Sequence, residues 1–322
     1  MEKSMGDILG NQTVISELIL LGVTDDRKAE LFLFGLFLLI YIITLFGNSF
    51  IILSVIFISS LHSPMYFFLG NLAFSDLCYS TVVTPKMLRD IVSERKSITF
   101  VGCALQLYFF AVFASTECYM LSAMAYDRYL AICQPLLYAV IMNRKAIIHL
   151  AVGIYVSGFL TASIHTACTL TLSFCGPNTI NHFYCDIPPL MELSCSDTYI
   201  HKTVIFVVVF CLGLLNVAII LASYFYIFYT IIHMQSSRGR HKAFSTCSSH
   251  LLCVSLFYGT VFFMYLRPAS KYSVSQDKVV SVFYTMIIPM MNPIIYSLRN
   301  AEFYHAVSWY IKKLLLSNIL EL

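Results

Sequence analysis

Charge is scarce in this sequence. Asp, Glu, Lys and Arg make up 11% of its 322 residues, against about 25% in soluble domains. So few charges cannot cover the surface of a soluble protein of this size. Tryptophan is limited to Trp309. There is no HExxH, no GxSxG, no phosphate-binding loop, and no His/Cys cluster with zinc-finger spacing. Nothing therefore points to an enzyme, a metal or a cofactor. A net charge of +3 without a basic block gives nucleic acid no footing. Residues 1–10 are polar, with no apolar stretch before a cleavage site. No cleavable signal peptide is expected, and the first apolar span acts as its own targeting signal.

Apolar residues are what the chain has, at 59%, including 26 Phe and 21 Tyr. A helix crossing hydrocarbon needs roughly 20 mostly apolar residues. Seven such runs can be read, at about 31–57, 64–88, 100–132, 146–166, 202–232, 244–266 and 279–298. The expected fold is an all-α membrane protein: a seven-transmembrane helix bundle at 30–298. An extracellular segment at 1–29 precedes it and a cytoplasmic tail at 299–322 follows. Pro64 stands at a helix start, where its missing N–H is harmless, and Gln134-Pro135 ends the third run. Ser236-Ser237-Arg238-Gly239-Arg240 reads as a short polar break. No internal repeat is visible, which weakens a transporter built from inverted halves.

Lys and Arg divide evenly between the two sides, so the positive-inside rule does not orient the bundle. Two other signals place the N-terminus outside. Asn11-Gln12-Thr13 is a glycosylation acceptor, with Asn11 the modified residue. Four of the 11 Cys fall on that same side: Cys103, Cys175, Cys185 and Cys195. An even number in an oxidising compartment reads as two disulfides, with three possible pairings. The favoured set is Cys103–Cys185, tying the loop's middle to a helix, and Cys175–Cys195, closing the loop on itself.

Two carboxylates lie within spans, where each costs about 2.5–3.5 kcal/mol on insertion scales. They are Asp76 and Glu117, joined by the amides Asn48 and Asn292. Such groups must face inward and each other. They read either as a core whose hydration or cation occupancy changes between two conformations, or as a packing network with one carboxyl protonated. Asp127-Arg128-Tyr129 sits at the cytoplasmic end of the third run. Arg128 there either snorkels to headgroups or is held and released to engage a partner.

The motif Met124-Ala125-Tyr126-Asp127-Arg128-Tyr129-Leu130-Ala131-Ile132-Cys133 resembles the hallmark of vertebrate olfactory receptors, which are rhodopsin-like G-protein-coupled receptors. Further matches follow in order. They are Gly47-Asn48, Pro64-Met65-Tyr66-Phe67-Phe68-Leu69 with Pro85-Lys86-Met87-Leu88, Ser223-Tyr224, the run Lys242-Ala243-Phe244-Ser245-Thr246-Cys247-Ser248-Ser249-His250-Leu251, and Pro289-Met290-Met291-Asn292-Pro293-Ile294-Ile295-Tyr296. The three-Cys loop around Asn181-His182-Phe183-Tyr184-Cys185-Asp186 resembles the tetrapod-type (class II) subdivision. The resemblance covers nearly the whole chain. It implies a plasma-membrane odorant receptor that activates a heterotrimeric stimulatory G protein and raises cyclic AMP. It implies that Arg128 swings toward the G protein with Tyr224 and Tyr296 moving inward to support it, while Arg238, Arg240 and Lys242 suit an acidic partner surface.

The resemblance also implies a ligand site in the outer halves of spans three, five, six and seven. Leu107, Phe110, Ala111, Ala114 and Cys118 form one face of span three, with Ser115 beside it. Val208, Val209 and Leu212 are the candidates on span five, and Tyr258, Val261, Phe262 and Tyr265 those on span six; Thr285 is the candidate on span seven. Amine receptors of the wider superfamily carry an Asp where Phe110 falls, which argues against a charged amine. Most of its members carry a Trp where Tyr258 falls, making Tyr258 the expected trigger. The partner is then a small neutral odorant in an apolar pocket with a few hydroxyls. After span seven, Phe303, Val307, Tyr310 and Leu314 share a face beside Lys312 and Lys313, as in a helix lying on membrane lipid. Two alternatives stand beside this reading. One is a related chemosensory receptor outside the nose. The other is a channel or transporter using Asp76, Glu117 and Arg128 as a pathway, although three charges do not line a conduit.

Overall fold

A computed structural model gives the fold and describes residues 16–24, 26–174, 178–265, 274–298 and 300–320. Six long helices are α1 (Arg27–Phe57), α2 (Pro64–Val92), α3 (Phe100–Cys133), α5 (Arg144–Leu170), α7 (Tyr199–His233) and α8 (Ser237–Tyr265). The seventh span is compound: α9 (Val274–Val282), a π-helical turn (Phe283–Ile287) and α10 (Ile288–Leu298). Short helices α4 (Pro135–Ile141) and α6 (Ile187–Glu192) lie in loops, and α11 (Ala301–Leu320) follows the last span. Six of the seven spans are long and apolar enough to cross a membrane by composition alone. The other is α2, which carries Asp76, Lys86, Arg89 and Asp90. It turns Asp76, Ser80 and Thr84 inward, each at most 1% exposed.

The polarity is that of a protein bathed in lipid. Phe32, Phe46 and Phe225 are more than two-thirds exposed, while Asn48, Asp76 and Glu117 are buried. Polar groups have no partners in hydrocarbon and therefore sit inside the bundle. Helix starts follow local chemistry. The side chains of Asp26, Thr99 and Asn143 accept from the amides of Lys28, Gly102 and Ala146 and so cap α1, α3 and α5.

The seven-helix bundle is as expected, and a small sheet caps it. β1 (Glu17–Leu20) pairs antiparallel with β2 (Ser97–Thr99) and parallel with β3 (Thr179–Ile180). Leu18 and Leu20 bury with Cys103, Cys185 and Ile187 in a small second core over one end of the bundle. The break between α7 and α8 falls at 234–236, so only the first residue of the polar run 236–240 belongs to it. α8 begins at Ser237, and the Ser236 hydroxyl accepts from the Gly239 amide at 3.2 Å. Arg and Lys are good helix formers, so a basic run after a Ser cap extends the helix.

Candidate functional site

A cavity of about 120 Å³ lies among α3, α5, α7, α8 and the π turn. The side of α3 facing it is the predicted stripe: Leu107, Phe110, Ala111, Ala114 and Cys118, with Ser115 beside them. Val209 and Leu212 line it from α7, and Tyr258, Val261 and Phe262 from α8.

Two predicted residues are not at this wall. On α7 the lining residues are Val209, Leu212, Gly213 and Asn216. They recur at i, i+3, i+4 and i+7, and Val208 falls a residue off that stripe. In the last span Tyr284 lines the cavity and Thr285 does not. The Ile288 amide bonds the Phe283 carbonyl across the π turn, which advances the register. The Thr285 hydroxyl donates to the Ser281 carbonyl at 2.7 Å, within its own helix. The side chain of Tyr265 lies outside the described residues, as do Asn11, Cys175 and the side chains of Arg238, Lys242 and Leu314.

Sequence reasoning missed one whole wall and the roof. Thr161 and His165 reach the cavity from α5, and Asp186 and Ile187 from the loop above it. The signal for the first was present: a His inside an apolar span is rare. The roof is set by the disulfide Cys103–Cys185, Cα–Cα 5.5 Å, which lays the loop across the bundle. Cys195 is also disulfide-bonded, and its expected partner Cys175 falls outside the described residues.

The roof is a buried polar network. Asp186 accepts from the Ile187 amide at 2.8 Å and from the hydroxyls of Tyr184 and Tyr284 at 2.7 and 3.2 Å. Burial pushes its carboxyl up, the three donors partly offset this, and nearby Asp277 adds to the rise. Ser281 shares hydrogen bonds with Tyr284 at 2.9 Å and with His182 Nε2 at 3.3 Å. Burial drives the His182 imidazole down to about 3, and the Lys278 ammonium pushes the same way. The Phe110 ring is centred 5.1 Å from both Tyr79 and Tyr184.

Below the cavity the Tyr258 hydroxyl donates to the Cys118 carbonyl at 3.2 Å. Ser122 donates to Asn216 Oδ1 at 2.7 Å, linking α3 to α7. Deeper still, Asn292 Nδ2 donates to both oxygens of Asp76, at 3.2 and 3.0 Å, and lies 3.4 Å from Glu117 Oε1. The Asn48 amide donates to the carbonyls of Thr44 and Pro289 at 3.0 and 2.9 Å, joining α1 to α10. Gly47 permits that approach, because a Cβ there would lie 3.0 Å from the Pro293 ring. Three of the four polar residues expected to meet do so, with Asn292 as the bridge between the carboxylates, whereas Asn48 spends its amide on backbone carbonyls.

At the far end Asp127 is buried and accepts from the Tyr138 hydroxyl of α4 at 2.9 Å. Among the described residues no carboxylate lies within ion-pair distance of Arg128. Arg128 instead borders a small void with Met65, Met124, His250 and Tyr296. Tyr224 shares a 2.7 Å hydrogen bond with His250 Nδ1, and their rings stack. Tyr129 packs against Tyr226, rings 5.8 Å apart. Arg240 is exposed. His250 was part of a recognised motif, but its contact with Tyr224 spans two helices and has no local signature.

The family model described as "Olfactory receptor" matches residues 37–316. Mouse olfactory receptor 5B21 is 53% identical over 292 residues, covering 91% of this chain and 92% of that protein. Mouse olfactory receptor 5T17 is 50% identical over 305 residues, covering 95% and 94%. Human olfactory receptor 5B21 is 53% identical over 304 residues, covering 94% and 98%.

Proposed function

This chain belongs to the olfactory receptor family, and from that premise we propose how it works. It is a multi-pass membrane receptor for odorants, not an enzyme. Its ligand is a small neutral volatile that enters the cavity under the Asp186 roof. Its output is activation of a stimulatory G protein and a rise in cyclic AMP. The N-terminus and the sheet face outward at the plasma membrane, and Arg128 faces the cytoplasm. There α11 lies on lipid, with Phe303 buried against Tyr66 and the Lys313 ammonium 5.3 Å from the Trp309 ring centre.

One observation carries this reading. The cavity is lined mostly by apolar side chains, and the Tyr258 hydroxyl at its wall bonds the carbonyl of Cys118, the chain neighbour of the polar-core residue Glu117. A ligand shifts a two-state equilibrium only by its differential affinity for the two states. Tyr258 is placed to supply that difference, because its ring meets the ligand and its hydroxyl holds α3. Ten heavy atoms at roughly −0.5 kcal/mol each give about −5 kcal/mol, or sub-millimolar affinity. Weak, broad tuning is the expected behaviour.

The test is a cyclic-AMP assay on surface-expressed receptor against an odorant panel. An active odorant is expected to lose its response in Arg128→Ala while surface staining persists. A full response in that variant overturns the transduction role.

A further inference from the structure

The cavity has a polar wall and an apolar wall, and the polar wall holds groups with nothing to bind. His165, on α5, lines the cavity and is 6% exposed. Its ring makes no hydrogen bond to any described residue, and Nδ1 is enclosed without a partner. The side chain of Ser115, on the α3 side, is likewise without a hydrogen bond among the described residues. Other polar groups at the wall are engaged. Thr161 is bonded to Tyr119 at 3.1 Å, Asn216 to Ser122, and Asp186 to its two tyrosines. The opposite wall, from α8, presents Phe257, Val261 and Phe262.

A buried polar group left without a partner is costly, and a ligand that supplies the partner recovers that cost. Resting on the odorant reading of this cavity, we propose that His165 is the anchor for a single oxygen function on the ligand, a hydroxyl or a carbonyl, with the apolar skeleton against α8. Imidazole suits both. In one tautomer a ring nitrogen accepts from an alcohol, and in the other it donates to a carbonyl. No Lys or Arg lines the cavity among the described residues, so a carboxylate finds no counter-charge. Size sets the skeleton. A dry cavity of about 150 Å³ holds benzene, so this one takes a single ring or a short chain. A single recovered hydrogen bond is worth on the order of ten-fold in affinity.

The matched probes are cyclohexane, cyclohexanol and cyclohexanone, added to full-length receptor in detergent while thermal unfolding is followed. The two oxygenated rings are expected to raise Tm at about ten-fold lower concentration than cyclohexane. His165→Phe is expected to erase that preference and His165→Gln, which keeps a donor and an acceptor, to restore it. His165→Leu gives the same reading should H165F fail to accumulate. Equal stabilisation by all three probes, stabilisation by none, or an oxygen preference that survives H165F and H165L overturns the anchor. Cyclic AMP in cells expressing the same variants separates this from the receptor reading. A His165-dependent preference without signalling sinks the coupling and leaves the anchor. Signalling that ignores both the oxygen and His165 sinks the anchor and leaves the receptor.

Discussion

At the scale of single residues, the roof and the trigger make separable predictions. Tyr258→Phe removes the one hydroxyl that holds α8 to the Cys118 carbonyl while keeping the ring at the cavity wall. Such a hydrogen bond is worth about 1 kcal/mol, so an odorant's half-maximal concentration should move several-fold at unchanged surface staining. An unchanged dose–response curve would remove Tyr258 from the trigger. His182 contributes to acid stability. The unfolded imidazole binds a proton below about 6.5, whereas the folded one stays neutral down to about 3. Between those values the unfolded chain holds the extra proton, so stability is complete above about 6.5 and drains as pH falls. The slope is roughly 1.4 kcal/mol per pH unit. Asp186, pushed up by burial, contributes with the opposite sign and blunts the loss at the acid end. His182→Gln should therefore lose less melting temperature than the parent between pH 7 and pH 5. Parallel losses would contradict the buried neutral imidazole.

At the scale of elements, packing distances decide what a helix can present. Gly158 on α5 is buried against α3, and a Cβ there would stand 2.6 Å from Thr116 Oγ1 and 3.1 Å from the Val112 carbonyl. That hydroxyl already donates to Val112 at 2.8 Å, so neither atom can yield cheaply. Gly158→Ala should force the two helices apart and cost about 1–3 kcal/mol, read as a lower melting temperature. No change would mean that the α3–α5 seam is loose. The cost matters to function because Thr161 and His165, one and two turns further along α5, are brought to the cavity by that close approach. The π turn shows the same dependence. Thr285 was the candidate on the last span, and with the π turn in that span Tyr284 lines the cavity instead.

At the scale of the whole molecule, the outer end is one assembly of sheet, loop and disulfide. Cys103–Cys185 spans 82 residues of sequence and fixes the loop that supplies Asp186 and Ile187. Removing a native disulfide typically costs about 2–5 kcal/mol. Cys103→Ser is expected to reduce the surface-delivered receptor sharply and to abolish the odorant response of what remains. Mass spectrometry finding free thiol at Cys103 or Cys185 in active receptor would contradict this arrangement. The three strands add β1 to the same assembly, so truncation through Glu17–Leu20 belongs to the same experiment.

The span count, the inward polar core and the α3 stripe were legible because each rests on a local rule. Apolar length sets a span, solvation turns Asn48, Asp76, Glu117 and Asn292 inward, and 3.6-residue periodicity sets the stripe. These the sequence determined by itself, along with the family, whose motifs are short and contiguous. The tertiary structure alone decided which residue of the last span lines the cavity, that α5 supplies a wall, and that a three-stranded sheet covers one end of the bundle. Each of those depends on contacts between segments far apart in the chain: a register shift in the last span, a seam kept close by one glycine, and strands of two to four residues too short to signal themselves. The few charges follow the same division. Their scarcity marks a membrane protein from composition alone, but only the fold places Asp186 under two tyrosines at the cavity roof and leaves His165 bare at its wall.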